Sequence, residues 1–323
     1  MPGQLQIFEQ QEGTLFHKVF IKNKLTEECI SILPNLGARL NSAHLRGGNE
    51  LTAVLCELKD QNLKSSDEIF NNAKLFPFAG RIKKGIYSFQ NKIYRLPINY
   101  VEEENATHGF LYNRKFIVIT KRNEGKYAEI ELEYVSTNDL IGYPFCFRVI
   151  VVYKLSAEGE VTVTTKVFNS DKGQILFSDG WHPYYRLCQS IDDLKIEFNV
   201  EEKVELNQDK IPSGIKFPLN GSSVQQIDLK NKSLDDVFRY SSNNKINFVN
   251  IFSKNSSRKL NIWHEAGLNK YNYLVLYTPP DRKSIAIEPM TSDINAFNNK
   301  EGLIIIEPGE SWSASYGFSL KGQ

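Results

Sequence analysis

Several things are scarce in this 323-residue chain, and each scarcity removes a class of function. There is no basic block: 39 Lys and Arg stand against 38 Asp and Glu, a formal net charge of +1. Nothing is set aside to neutralise a phosphate backbone, so nucleic acid is not an expected partner. Long apolar runs are missing as well. The longest, Val149–Tyr153 and Leu303–Ile306, fall far below the roughly 20 residues that span a bilayer, so no membrane insertion is expected. From Met1 to Glu12 the chain lacks the basic start and apolar stretch of a secretory signal, which makes a cytoplasmic location the expectation. The four cysteines, Cys29, Cys56, Cys146 and Cys188, show no paired spacing. Neither a zinc knuckle nor a disulfide framework is indicated, and reduced, mostly buried thiols are expected.

Linkers, repeats and helical periodicity are also wanting. No Pro/Ser/Gly-rich stretch, fixed-period repeat or shift in composition divides the chain, so residues 1–323 are read as one domain. Only two short pieces, Ser65–Asn72 and Ser233–Tyr240, suggest helix, each opened by a Ser suited to capping an N-terminus.

What is present is alternation. Lys92–Tyr100, Lys115–Lys121, Tyr127–Val135 and Leu194–Val200 follow a period of two, the pattern of half-buried strands. A hairpin joins Phe147–Leu155 to Glu160–Phe168 through Ala157-Glu158-Gly159, with Gly159 supplying a positive φ. With 41% hydrophobic and 12% aromatic residues, the chain can bury a large core of β-branched and aromatic side chains. An antiparallel sheet of this size would curl or split, so the predicted fold is all-β: a large antiparallel β-sandwich with a few short helices.

The motifs HExxH, GxSxG, GxGxxG and Walker A are all absent, as is Cys/His metal spacing. This removes the commonest metalloprotease, hydrolase, dinucleotide and nucleotide readings. The candidates that remain are two histidines, one glutamate, one arginine and aromatics. His108 lies in Asn105-Ala106-Thr107-His108-Gly109-Phe110, where the glycine lets the backbone turn and face the imidazole to a cleft. A hydrogen-bonded structural imidazole is the alternative. His182 lies in Asp179-Gly180-Trp181-His182-Pro183-Tyr184-Tyr185. Aromatic faces there, Trp181 and Tyr185 among them, suit the C–H face of a sugar ring, although an aromatic core cluster would read the same way.

Glu288, in Ile285-Ala286-Ile287-Glu288-Pro289-Met290, falls at the last alternating position of a strand before a proline that ends pairing. Facing a cleft, partial burial would raise its pKa toward that of a general base; facing out, it would be a solvated carboxylate. Thr291–Asn298 is rich in short polar residues and reads as a pocket rim or a plain connection. Arg81, after Phe78-Ala79-Gly80, could fork onto vicinal hydroxyls or pair with a carboxylate. Such a set can perform acid–base chemistry with no cofactor and no metal.

In order along the chain, these motifs resemble the aldose 1-epimerase (galactose mutarotase) family. Phe78-Ala79-Gly80-Arg81-Ile82 with Gly85, Tyr87-Ser88-Phe89 and Tyr94-Arg95-Leu96 is similar to the family's arginine motif. Asn105–Gly109 and Gly180–Tyr185 resemble its two histidine motifs, Ile287–Asn298 its glutamate motif and Pro308-Gly309-Glu310 its terminal turn. The resemblance runs from about Leu33 to Phe318 and implies a β-supersandwich with an open sugar-binding groove. It implies interconversion of the α and β anomers of a free hexose, with Glu288 as base, His182 as acid, His108 stabilising charge at the ring oxygen and Arg81 orienting the sugar. Within Leu234-Asp235-Asp236-Val237-Phe238, Asp235 is the better match to the family's hydroxyl-binding aspartate, and Asp236 stays open. A small-molecule sugar is the implied partner, the chain acting as monomer or homodimer. Lys83-Lys84 and Arg114 leave a hexose 6-phosphate as a rival substrate, and a non-catalytic sugar-binding module of the same fold is a second rival.

Overall fold

The direction in which each strand turns its side chains organises this molecule. The structure is a computed structural model, and it describes residues 4–11, 17–58, 69–219, 224–241 and 243–322. Among them, antiparallel strands build a nine-stranded, an eight-stranded and a five-stranded sheet, with three two-stranded ribbons. No helix is long and apolar enough to cross a membrane among the described residues.

The nine-stranded sheet carries the expected hairpin. Cys146–Ser156 pairs with Val161–Asn169 in a register that sets Leu155 opposite Val161, and Gly159 turns with φ +79°. The eight-stranded sheet runs in the order Pro212–Pro218, Val200–Leu206, Asp235–Tyr240, Tyr273–Tyr277, Ile285–Met290, Gly180–His182, Ala73–Leu75, with Tyr184–Tyr185 also pairing to Ile285–Met290. One of its faces enters the main core through Trp181, Tyr185, Phe238, Leu274, Leu276, Ile285 and Ile287. There it meets the nine-stranded sheet: the Trp181 indole donates to Thr165 Oγ1 at 3.2 Å, and Tyr185 packs edge-on to Phe318 with centroids 5.4 Å apart. The opposite face gathers Val204, Val237, Val275 and Met290 into a smaller apolar cluster. Period-two alternation thus sorts one set of strands onto two surfaces.

A buried ion pair fastens the short Gly180–His182 strand from behind. Lys74 and Asp179, both fully buried, pair directly, and the Lys74 ammonium lies 4.5 Å from the centre of the Trp181 ring. Tyr271 donates to the other Asp179 oxygen at 2.8 Å. Burial pushes the Lys74 ammonium down to about 8 and the Asp179 carboxyl up, the direction expected where charge leaves water.

Several expectations change, among them the strand expected over Lys92–Tyr100, which ends at Arg95. Ser233–Tyr240 is not helical: Asp235–Tyr240 is a central strand, paired on both sides, because Val237, Phe238 and Tyr240 fill two faces of a sheet better than one turn of helix. Of Ser65–Asn72, residues 65–68 lie outside the described residues, and Ile69 and Phe70 are helical. Leu194–Val200 is two strands, since the chain leaves the nine-stranded sheet after Phe198 and enters the eight-stranded one at Val200. Pro289 does not end its strand, and Leu274 pairs with it. The neighbouring Gly180–His182 meets this strand at a single pair, Gly180 with Met290, so no ladder bond is lost at 289. The four cysteines are free, as expected, but half-buried rather than buried.

Candidate active site

The second face of the eight-stranded sheet floors a cavity of about 240 Å³. This is smaller than the roughly 300–1,000 Å³ of drug-sized pockets and suits one small ring. Val237, Val275 and Met290 form its apolar floor, and Glu288, His182, Tyr184 and Asp235 rise from the same face. His182 and Tyr184 share a side because they lie two residues apart, and their rings stack with centroids 4.8 Å apart and planes 9° apart.

His108 and Arg81 reach the cavity from a ribbon that crosses its rim, where Thr107 pairs with Arg81. His108 and Gly109 both adopt left-handed backbone, φ 62° and 69°. Left-handed backbone is costly for a histidine and free for glycine. At Gly109 a Cβ would stand 2.1 Å from the Phe76 carbonyl oxygen, so the turn that aims His108 requires glycine there. The Gly80 N–H donates to His108 Nδ1 at 3.2 Å, which leaves the proton of the neutral ring on Nε2. The Thr291–Asn298 segment braces this ribbon: Asn295 N–H donates to the Arg81 carbonyl at 2.8 Å, and Asn295 Oδ1 accepts from Lys83 N–H at 3.1 Å. Ile294 from the same segment lines the cavity.

At the centre, His182 Nε2 lies 3.2 Å from Glu288 Oε1, and the His108 ring stands edge-on to His182 with centroids 5.4 Å apart. Both members of the pair are nearly sealed, Glu288 at 3% and His182 at 6% exposure. Burial lowers the His182 imidazole to about 3 and holds His108 well below its ordinary value. Burial also raises Glu288 well above the usual carboxylate range; the nearby Asp235 adds to this and Arg81 opposes it. Burial therefore disfavours charge on both groups and shifts the pair toward a neutral imidazole beside a protonated carboxyl, one proton for two groups.

The cations of the cavity are already matched. Arg81 Nε bonds Glu103 Oε2 at 2.6 Å, its guanidinium lying 5.6 Å from the Tyr100 ring centre. Lys210 Nζ bonds Asp235 Oδ2 at 2.8 Å. Among the described residues, no group of three or more His, Cys, Asp or Glu is arranged to hold a metal ion.

Of the seven side chains expected at the site, Glu288, His182, His108, Arg81 and Asp235 line this one cavity. Trp181 and Tyr185 do not: each is one residue out of phase with His182 or Tyr184 and points into the main core. The same parity separates the two aspartates, since Asp236 turns away to pair with Lys203 at 2.8 Å. Tyr277, Tyr100, Glu103 and Lys210 also line the cavity and were not anticipated, and so does Tyr184, which the His182 motif contains but which was not singled out. Period two counted from His182 would have found Tyr184; Glu103, in an acidic run, and Lys210, in a turn, carry no pattern.

The large antiparallel sandwich with a cavity on one sheet face has the galactose mutarotase-like fold. A galactose mutarotase-like protein from Clostridium acetobutylicum superimposes with a TM-score of 0.84 at 22% identity, over 99% of both chains. The galactose 1-epimerase of Lactobacillus acidophilus gives 0.76 at 17% identity, over 99% of this chain and 98% of that one. Residues 21–319 match the aldose 1-epimerase family, and the chain belongs to it. Among curated relatives, the uncharacterised protein YihR of Escherichia coli K12 is 23% identical over 248 residues, 73% of this chain and 74% of its own. Rat galactose mutarotase is 26% identical over 203 residues, 57% of each chain.

Proposed function

We propose that the protein interconverts the α and β anomers of a free, uncharged hexose. The observation that carries this reading is the buried Glu288–His182 pair, 3.2 Å apart on the floor of a cavity sized for one ring. Anomer exchange needs a proton removed from the O1 hydroxyl and one supplied to the ring oxygen O5, so a base and an acid must sit side by side. With the shared proton on His182, the Glu288 carboxylate takes the O1 proton as the imidazolium gives its own to O5. The C1–O5 bond breaks and C1 becomes the aldehyde carbon. Rotation about C1–C2 presents the other face, the two protons return, and the ring closes in the opposite configuration.

After ring opening the carboxyl is protonated and the imidazole neutral, which is the arrangement burial favours. The site thus stabilises the open-chain complex more than the charged pair that precedes it. His108, with its proton on Nε2, donates where charge builds at the ring oxygen, while Arg81 and Asp235 hold hydroxyls.

An uncharged sugar is favoured over a 6-phosphate by the way the cations are engaged. Arg81 and Lys210 already face Glu103 and Asp235. Lys83 approaches Asp209 at 3.9 Å, neither Lys83 nor Lys84 lines the cavity, and Arg114 lines a different one. Polarimetry of freshly dissolved α-D-glucose and α-D-galactose tests the proposal. Accelerated mutarotation is expected and should vanish in Glu288→Gln; acceleration of hexose 6-phosphates alone would overturn the substrate class.

A further inference from the structure

A second cavity, of about 410 Å³, adjoins the first: Thr107 lines both, and Gly109 of the second follows His108 of the first in the chain. The acid–base reaction uses none of its other walls. Phe110 and Tyr112 give it aromatic surface, while Arg114 and Asp139 bring opposite charges.

Three features show unused bonding capacity. Arg114 Nε is buried without a hydrogen-bond partner, and so is the hydroxyl of Thr107, a residue only 3% exposed. Desolvated polar atoms without partners are unfavourable unless something binds them. Arg114 and Asp139 form no ion pair with each other, although they face the same cavity. Asp139 Oδ1 accepts from the Ser136 hydroxyl at 3.1 Å and from Thr137 N–H at 3.2 Å, which leaves its second oxygen for another donor. The phenol of Tyr134, raised chiefly by burial, is pushed further up by Asp139 and down by Arg114, so both charges act on one small neighbourhood.

We infer that this cavity is a second carbohydrate-binding site, which takes a neutral polyhydroxylated ring. A lone anion would face Asp139, and a lone cation would face Arg114. A ligand that satisfies both must donate and accept at adjacent atoms, as vicinal hydroxyls do: they donate to Asp139 and accept from Arg114 and Thr107. Its apolar C–H face then lies on Phe110 or Tyr112. The inference is independent of the reaction proposed above, because none of Arg114, Asp139 or Tyr112 lines the first cavity.

The test is a titration of the isotopically labelled protein with D-glucose and D-galactose, following backbone amide shifts. Saturable shifts are expected at Asn99, Gly109 and Arg114, with a dissociation constant distinct from that read at Gly80 and Ile294. The double variant Arg114→Gln/Asp139→Asn should weaken binding at the first set at least tenfold and spare the second. Ile141, an exposed residue at the edge of the second cavity, offers a check that leaves the buried groups alone: Ile141→Trp should block the same site by bulk. Absent saturation at Asn99 and Arg114, shifts that persist in both variants, or binding of glycine in place of either sugar would each overturn the inference. Saturation there with no response at Gly80 and Ile294 would support the second site while sinking the proposed reaction.

Discussion

Tyr184 and Tyr185 are adjacent in the chain and stand on opposite faces of one sheet. The ring of Tyr184 lies 4.8 Å from His182 in the cavity, and that of Tyr185 lies 5.4 Å from Phe318 in the core. The two should therefore fail differently. Tyr184→Leu removes a stacked partner worth about 0.5–1.5 kcal/mol, and a drop in kcat of about 2- to 10-fold is expected in the polarimetric assay. Tyr185→Phe removes a buried hydroxyl with no partner among the described residues. It should leave kcat and KM unchanged and raise stability to denaturant by about 1 kcal/mol.

Glu288→Gln and His182→Asn each keep a similar shape and abolish proton exchange. Each should lower kcat by about 10²–10⁴-fold with an unchanged thermal transition. Near-normal turnover in either variant would remove that residue from the reaction.

The pH profile follows from the burial of the pair. An ordinary histidine gains a second proton for the pair as the pH falls through 6.5; here that step is displaced to about 3. On the alkaline side the shared proton is held longer, because Glu288 is raised. On acidification, kcat/KM should show no fall centred near pH 6.5, its acid-side loss lying toward pH 3 instead. Half-loss near pH 6.5 would show an imidazole titrating as if in water.

Arg81→Ala removes a guanidinium that Glu103 orients over the cavity. A charged hydrogen bond contributes about 1.5–3 kcal/mol, so KM should rise about tenfold or more, with kcat changed less. A lowered kcat at constant KM would assign Arg81 to the transition state instead.

Much of this was legible in the sequence and some was not, for identifiable reasons. Alternation sets Asp235 and Asp236 on opposite faces, but which of them meets the cavity, and that Glu288 and His182 share its side, comes only from the register between strands. Trp181 and Tyr185 were drawn into the expected site because an aromatic cluster around a histidine reads alike whether it faces a cavity or a core. Ser233–Tyr240 misled because a capping serine is a local signal, while pairing on both edges is settled by strands distant in sequence. Glu103 and Lys210 come from turns, which have no period, and only the fold brings them to the cavity.

The buried Lys74–Asp179 pair should behave asymmetrically. Lys74→Met leaves a carboxylate sealed from water and should cost about 3–5 kcal/mol. Lys74→Met/Asp179→Asn should recover most of that loss in denaturant unfolding, since no uncompensated charge remains.

Because a single sheet presents the cavity on one side and the core on the other, inheritance can treat the alternate positions of each strand as separate texts. Exchanges at 237, 275, 277 and 290 would reshape the cavity, while 238, 274, 276 and 287 belong to the main core. Val237, Val275 and Met290 are themselves buried in the smaller apolar cluster, so a change of cavity shape is coupled to that cluster and not to the main core. A one-residue insertion or deletion within Ile285–Met290, by contrast, would exchange the two texts at once, driving Glu288 into the core and setting Ile287 on the cavity floor.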